Sequence, residues 1–182
     1  RPLGFGGSYV DAATGATPLA LLKQAIKGGD SSVVSQLPDL WDAFVGAMGG
    51  SLGEVCALAL LVGGIFLICA RVITWHIPVS ILATVALFAT ITGWCGALLE
   101  GMTTGQYVAM TLCTGGMMLG AFFMATDYVT SPMTGWGKII FGIGIGLIVM
   151  VIRTWGAYPE GMSFAILIMN ACVPLLNHIR PK

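Results

Sequence analysis

From residue 55 to residue 176 the chain alternates long apolar runs with short polar interruptions. The runs are Val55 to Ile73, Val79 to Leu99, Tyr107 to Ala125, Ile139 to Ile152 and Met162 to Leu176. Crossing the hydrocarbon of a bilayer takes about 20 apolar helical residues, so the first three runs are long enough to span it. The last two are short and must borrow flanking residues, break, or be partly buried in protein. The pattern predicts an all-α polytopic membrane protein with five transmembrane helices over residues 51–182. Trp75, Trp94, Trp136 and Trp155 stand at or near run ends, where an aromatic belt puts them.

Residues 1–50 follow a different pattern and read as a separate extramembrane segment. In "DAATGATPLALLKQAIKGG", residues 11–29, Thr17 stands directly before Pro18. Proline costs nothing at the first helical position and its φ is already helical, so Thr17 reads as the N-cap of a helix. Leu19, Leu22 and Ile26 then line one face, Lys23 and Lys27 the other, and Gly28-Gly29 closes the C-terminus. The spacing predicts a short amphipathic helix over 18–27. Capping alone accounts for Thr17. The same helix start also suits a phosphate, because its free N–H groups and dipole face an incoming anion while Gly15 and Ala16 leave room for it.

Composition places this pattern in lipid. Hydrophobic residues make up 57 % of the 182 and charged residues 9 %, against about 25 % charged in a soluble domain. The formal net charge is zero, which argues against nucleic acid as a partner, since phosphate backbones need clustered Lys and Arg. Cys56, Cys69, Cys95, Cys113 and Cys172 all fall in apolar runs without metal-ligand spacing, and read as buried, reduced thiols; no metal site is expected. "RPLGFGGSYV" resembles no signal peptide, and the chain is expected to begin partway through a longer protein.

Charge also orients the spans. With residues 1–50 outside, Arg71, Lys138, Arg180 and Lys182 face the cytoplasm, and Arg153 alone among short connections faces outward. Glu54, Glu100 and Glu160 then sit at the outer entrances of spans one, three and five, where a carboxylate faces a positive helix end. "EGM" at 100–102 recurs at 160–162, too short an echo to establish a repeat.

Two stretches inside the membrane part carry candidate roles. Asp127, in "MATDYVTSP", ends an apolar run beside Thr126, Thr130 and Ser131, which are oxygen donors suited to a hard cation. It reads equally as a loop acid near Lys138. "FGIGIG" at 141–146 spaces its glycines so that no one helix face collects them all, and close helix packing accounts for it better than cofactor binding.

"TGAT" at 14–17 resembles the S/T-G-A-T motif of the membrane flavoprotein subunits of two related bacterial complexes. These are the Rnf ferredoxin:NAD oxidoreductase and the sodium-pumping NADH:quinone reductase. "GSLGEVCALALLVGG" at 50–64, "GGMMLGAFFMATDYVTSP" at 115–132 and "YPEGMSFAILIMNACVPL" at 158–175 resemble the same family in the same order, and "GATPL" leans toward the Rnf branch. Where that family usually reads "ATDPV", this chain has Tyr128 in place of the proline. The resemblance implies FMN bound covalently to Thr17 through a phosphoester, with Thr14, Gly15 and Ala16 as motif context and a flavin transferase as the maturation partner. It implies a ten-helix subunit, of which this chain is half, and leaves room for a riboflavin in the full subunit. It also implies the bacterial inner membrane, other subunits of a redox complex as partners, and Na⁺ or H⁺ as the translocated ion.

No catalytic acid or base stands out, as suits an electron carrier whose cofactor supplies the chemistry. The chain reads as one subunit of a redox-driven translocase with no complete active site of its own. A channel or solute transporter is the alternative, since short and Gly-broken spans mark such cores too. A purely structural membrane subunit is a third reading.

Overall fold

Ile77, Ile81, Val85 and Ala89 recur every fourth residue, and Phe141, Ile145 and Val149 repeat the same interval; all seven are buried. Such a stripe lies along one face of a helix, and these two stripes meet in the main apolar core. The computed structural model describes residues 19–21, 23, 40–45, 56–93, 103–156, 158 and 160–178. Trp94, Cys95, Glu54 and Glu100 lie outside the described residues.

The elements are α1 (Leu40–Val45), α2 (Ala57–Cys69), α3 (His76–Thr92), α4 (Thr104–Cys113), α5 (Met117–Leu119), a π-helical turn (Gly120–Met124), α6 (Gly135–Trp155) and α7 (Met162–Asn177). No strand occurs among the described residues. Helix α3 packs along α6, α7 covers another side of α6, and α2 closes over Met118 of α5 and Phe122 of the π turn.

Among the described helices, α6 alone, with 21 residues, is by itself long and apolar enough to cross a bilayer; α4 and the α5–π segment reach that length only together. The fourth run thus borrows its flanks, taking in residues 135–138 and 153–155. Helices α2, α3 and α7 are shorter, at 13, 17 and 16 residues. The unexpected break is in the third run, read from its length as one straight span. There α4 and the α5–π segment meet at 62°. The cause is local: Gly115 and Gly116 take φ of 70° and 62°, a left-handed conformation that costs glycine nothing and other residues much more.

The glycines of "FGIGIG" serve close packing, and they divide as their spacing requires. A Cβ on Gly142 would run into Ser80 and one on Gly146 into Thr84, both on α3, whereas one on Gly144 would meet Met169 of α7. Small residues four apart let two helix backbones approach closely.

Side-chain contacts sort the loops into two ends. The Tyr128 hydroxyl donates to the Val72 carbonyl, tying the 125–134 turn to the α2–α3 loop. The Met133 N–H donates to Asn177 Oδ1 at 3.0 Å, bringing the end of α7 to the same place. At the other end of α6, Lys23 Nζ donates to the carbonyls of Ile152 (3.3 Å) and Tyr158 (2.5 Å). The 21 residues of α6 separate these ends by about 30 Å at 1.5 Å per residue.

Candidate functional site

Helix α4 starts with a capping box: Gln106 N–H donates to the Thr103 hydroxyl, and Thr103 N–H to Gln106 Oε1 at 3.0 Å. It ends abruptly at Thr114, whose hydroxyl turns back onto the Met110 carbonyl at 2.6 Å. A helix that stops inside apolar surroundings leaves its last carbonyls without intrahelical partners, and in lipid each such group costs several kcal/mol unless something binds it.

Arg153 binds them. It lies in the last turn of α6 and is 8 % exposed. Its Nη1 donates to the Thr111 carbonyl at 2.7 Å, and its Nη2 to those of Thr114 and Gly115, each at 3.1 Å. The guanidinium fork suits several acceptors at once, and its charge meets the negative end of the α4 dipole. The expectation that Arg153 sits in an outward connection is therefore corrected: it is a buried clasp between α6 and the broken helix. One sequence signal pointed to it. Phe141, Ile145 and Val149 continue at the same interval to position 153, so the arginine stands on the buried stripe.

The segment after "TGAT" reaches this place. Residues 19–21 and 23 are helical, inside the helix expected over 18–27. Leu19 is buried in the main core against Gly115. Lys23, one turn later, holds the Ile152 and Tyr158 carbonyls beside Arg153. Leu19 and Lys23 are four apart and share a face, which corrects the expectation that Lys23 lies on the face opposite Leu19: both side chains turn toward the Arg153 end of α6. Thr14, Gly15, Ala16 and Thr17 lie outside the described residues, as do Pro18 and the cap geometry.

Asp127 lies in the exposed turn after the π helix, at the opposite end of α6 from Lys23. Thr130 Oγ1 donates to its carboxylate at 3.3 Å, and Ser131 N–H to its backbone carbonyl at 3.1 Å. Thr126 points elsewhere, its buried hydroxyl donating to the Phe122 carbonyl at 2.6 Å. Of the three hydroxyls named from sequence, Thr130 is the one whose oxygen meets the carboxylate. Tyr128, standing where the resembling family has proline, spends its hydroxyl on the neighbouring loop.

Comparison with known proteins gives a consistent picture. A model of the NQR2, RnfD, RnfE family matches residues 3–182. The D subunit of the Na(+)-translocating ferredoxin:NAD(+) oxidoreductase complex of Acetobacterium woodii is 46 % identical over 169 residues, covering 92 % of this chain and 47 % of that protein. The D subunit of the ion-translocating oxidoreductase complex of Stutzerimonas stutzeri is 42 % identical, covering 97 % and 49 %. The D subunit of the proton-translocating ferredoxin:NAD(+) oxidoreductase complex of Clostridium ljungdahlii is 41 % identical, covering 95 % and 51 %. The chain thus spans about half the length of these curated relatives.

Proposed function

We propose, because this chain belongs to the NQR2, RnfD, RnfE family, that it is part of a membrane subunit that relays electrons through FMN held covalently on Thr17, within a complex that couples the transfer to Na⁺ or H⁺ movement. One observation carries the flavin part of this reading. The motif "TGAT" directly precedes a helical segment whose Leu19 and Lys23 are held against the broken helix and the Arg153 end of α6. A covalent flavin is useful in electron transfer only if its carrier is fixed relative to the rest of the protein, because the protein's contribution is position and electrostatics. The flavin transferase, the other subunits of the complex, the five-span count and the bacterial inner membrane belong to the same reading. In-gel fluorescence of the denatured chain tests it: a fluorescent band is the expected result, and a dark band from cells that flavinylate other carriers overturns it.

A channel or solute transporter without redox activity shares one feature, the glycine break at 115–116, since interrupted helices line transporter sites. It leaves "TGAT" with no role beyond capping the helix that follows. Solute flux into liposomes in the absence of any electron donor would favour it.

The proposed orientation places residues 1–50 in the periplasm and the C-terminus in the cytoplasm, from the Arg and Lys of the short connections. Arg153 was the exception to that distribution, and its burial removes it from the loop charges. A cysteine introduced at Ser35 is expected to react with an impermeant reagent in intact spheroplasts. Labelling only after permeabilisation overturns the orientation.

Asp127 belongs to the ion-coupling part of this reading. Its end of α6 is about 30 Å from the Lys23 end by helix rise, too far for the carboxylate to touch a flavin on Thr17. Asp127→Asn is expected to keep covalent FMN and to weaken electron-driven Na⁺ or H⁺ uptake by vesicles of the assembled complex. Unchanged uptake at a normal electron-transfer rate returns Asp127 to an ordinary loop acid.

A further inference from the structure

Arg153 joins two features that are far apart in sequence, the break in the third run and the segment that follows Thr17. We propose, resting on the flavin reading above, that Arg153 is a positioning residue for the flavin: its guanidinium holds the α4–α5 break in the shape on which the flavin-bearing segment is seated.

Three observations meet here. First, the guanidinium binds carbonyls from the end of α4 and from the break itself, Thr111, Thr114 and Gly115, so the path of the turn depends on it. Second, Leu19 and the guanidinium flank one glycine. A Cβ on Gly115 would lie 2.5 Å from Leu19 Cδ2 and 2.7 Å from Arg153 Nη2. Leu19, two residues beyond Thr17, therefore rests on a surface that Arg153 shapes. Third, Lys23 is tied to the carbonyls of Ile152 and Tyr158, so both ends of this helical turn are fastened around residue 153.

The chemistry at this corner bears on potential as well as on place. Arg153 and Lys23 bring two cations to the end of α6 where Leu19 packs, and the buried one, Arg153, is weakly screened by solvent. Positive charge stabilises the electron density that a flavin gains on reduction, so removing Arg153 lowers the potential of a flavin held here. A lysine at 153 keeps the charge but lacks the planar fork that meets several carbonyls at once. Charge and shape are therefore separable by mutation.

The experiment compares wild type, Arg153→Lys and Arg153→Met in the assembled complex, with three readouts: covalent fluorescence per chain, flavin midpoint potential, and maleimide labelling of Leu19→Cys read by mass spectrometry at that residue. In Arg153→Met, covalent loading is expected to fall at least about tenfold, since misplacement of a reacting group by about 1 Å can cost about a hundredfold in rate, and the remaining flavin to have a lower potential. Labelling at residue 19 is expected to rise about tenfold through local opening of the seat. Arg153→Lys is expected to keep the potential near wild type while its labelling rises about threefold, since charge is retained and the fork is lost. Wild-type loading, potential and labelling in Arg153→Met overturn the proposal. If that variant does not accumulate in the membrane, Arg153→Lys decides, and wild-type labelling there overturns it. A dark wild-type band overturns the flavin reading itself and the flavin role of Arg153 with it. A fluorescent wild type with unmoved variants overturns the positioning role alone.

Discussion

Replacing Thr17 with alanine is expected to abolish covalent flavin while the chain still inserts and folds. The hydroxyl is the attachment atom in the proposed phosphoester, and alanine offers no substitute, so the loss is complete rather than graded. The structural cost is small by comparison. Removing an N-cap hydroxyl costs about 0.5–2 kcal/mol, and it falls on a short helix whose core contact, Leu19, is retained. Thr17→Ser keeps the hydroxyl and is expected to stay fluorescent, and Thr14→Ala is expected to do the same. In-gel fluorescence of the denatured variants, with mass spectrometry of the flavin peptide, reads all three. A fluorescent Thr17→Ala band, or flavin mapped to Thr14, removes Thr17 from the site.

The second large effect is expected in the core, from Gly142→Val. A Cβ at 142 would overlap the Ser80 hydroxyl and lie 2.9 Å from Ser80 Cβ and 3.0 Å from the Ile77 carbonyl. The side chain of Ser80 could turn away, but the Ile77 carbonyl is backbone and cannot move without shifting α3. Overpacking of this kind costs about 1–3 kcal/mol, and here it falls where α3 and α6 bury their two stripes against each other. The purified variant is expected to lose its monodisperse peak on detergent gel filtration at a lower temperature than wild type. Gly135→Ala is the control, because a Cβ there meets nothing within 4 Å. Equal thermal behaviour of the two variants would mean that the close α3–α6 approach is not needed.

Much of this protein follows from local rules acting on the sequence. The apolar runs fall where the helices lie, since a residue that must leave water marks its helix whatever it packs against. Residues 19–21 and 23 are helical within the stretch that Pro18 and Gly28-Gly29 bound, because caps and breakers act over a single turn. The glycines of "FGIGIG" were legible as packing residues, for a missing side chain matters only to a close neighbour. Family membership was legible too, in four separate stretches in a consistent order.

Tertiary structure alone decided the rest. Run length made the third apolar run a straight helix, but Gly115 and Gly116 bend it, and a bend inside the apolar part is tolerable only where something distant binds the freed carbonyls. That partner is Arg153, some 40 residues away, whose bonds to Thr111, Thr114 and Gly115 no short-range pattern contains. Counted by itself, an arginine at a run end belongs to water, because an unpaired buried charge is costly. Hydrogen bonds offset much of that cost once α6 sets the side chain against the end of α4. Local sequence thus determined which segments are helical and apolar, while the pairing of one buried charge with one broken helix arose only when the segments met.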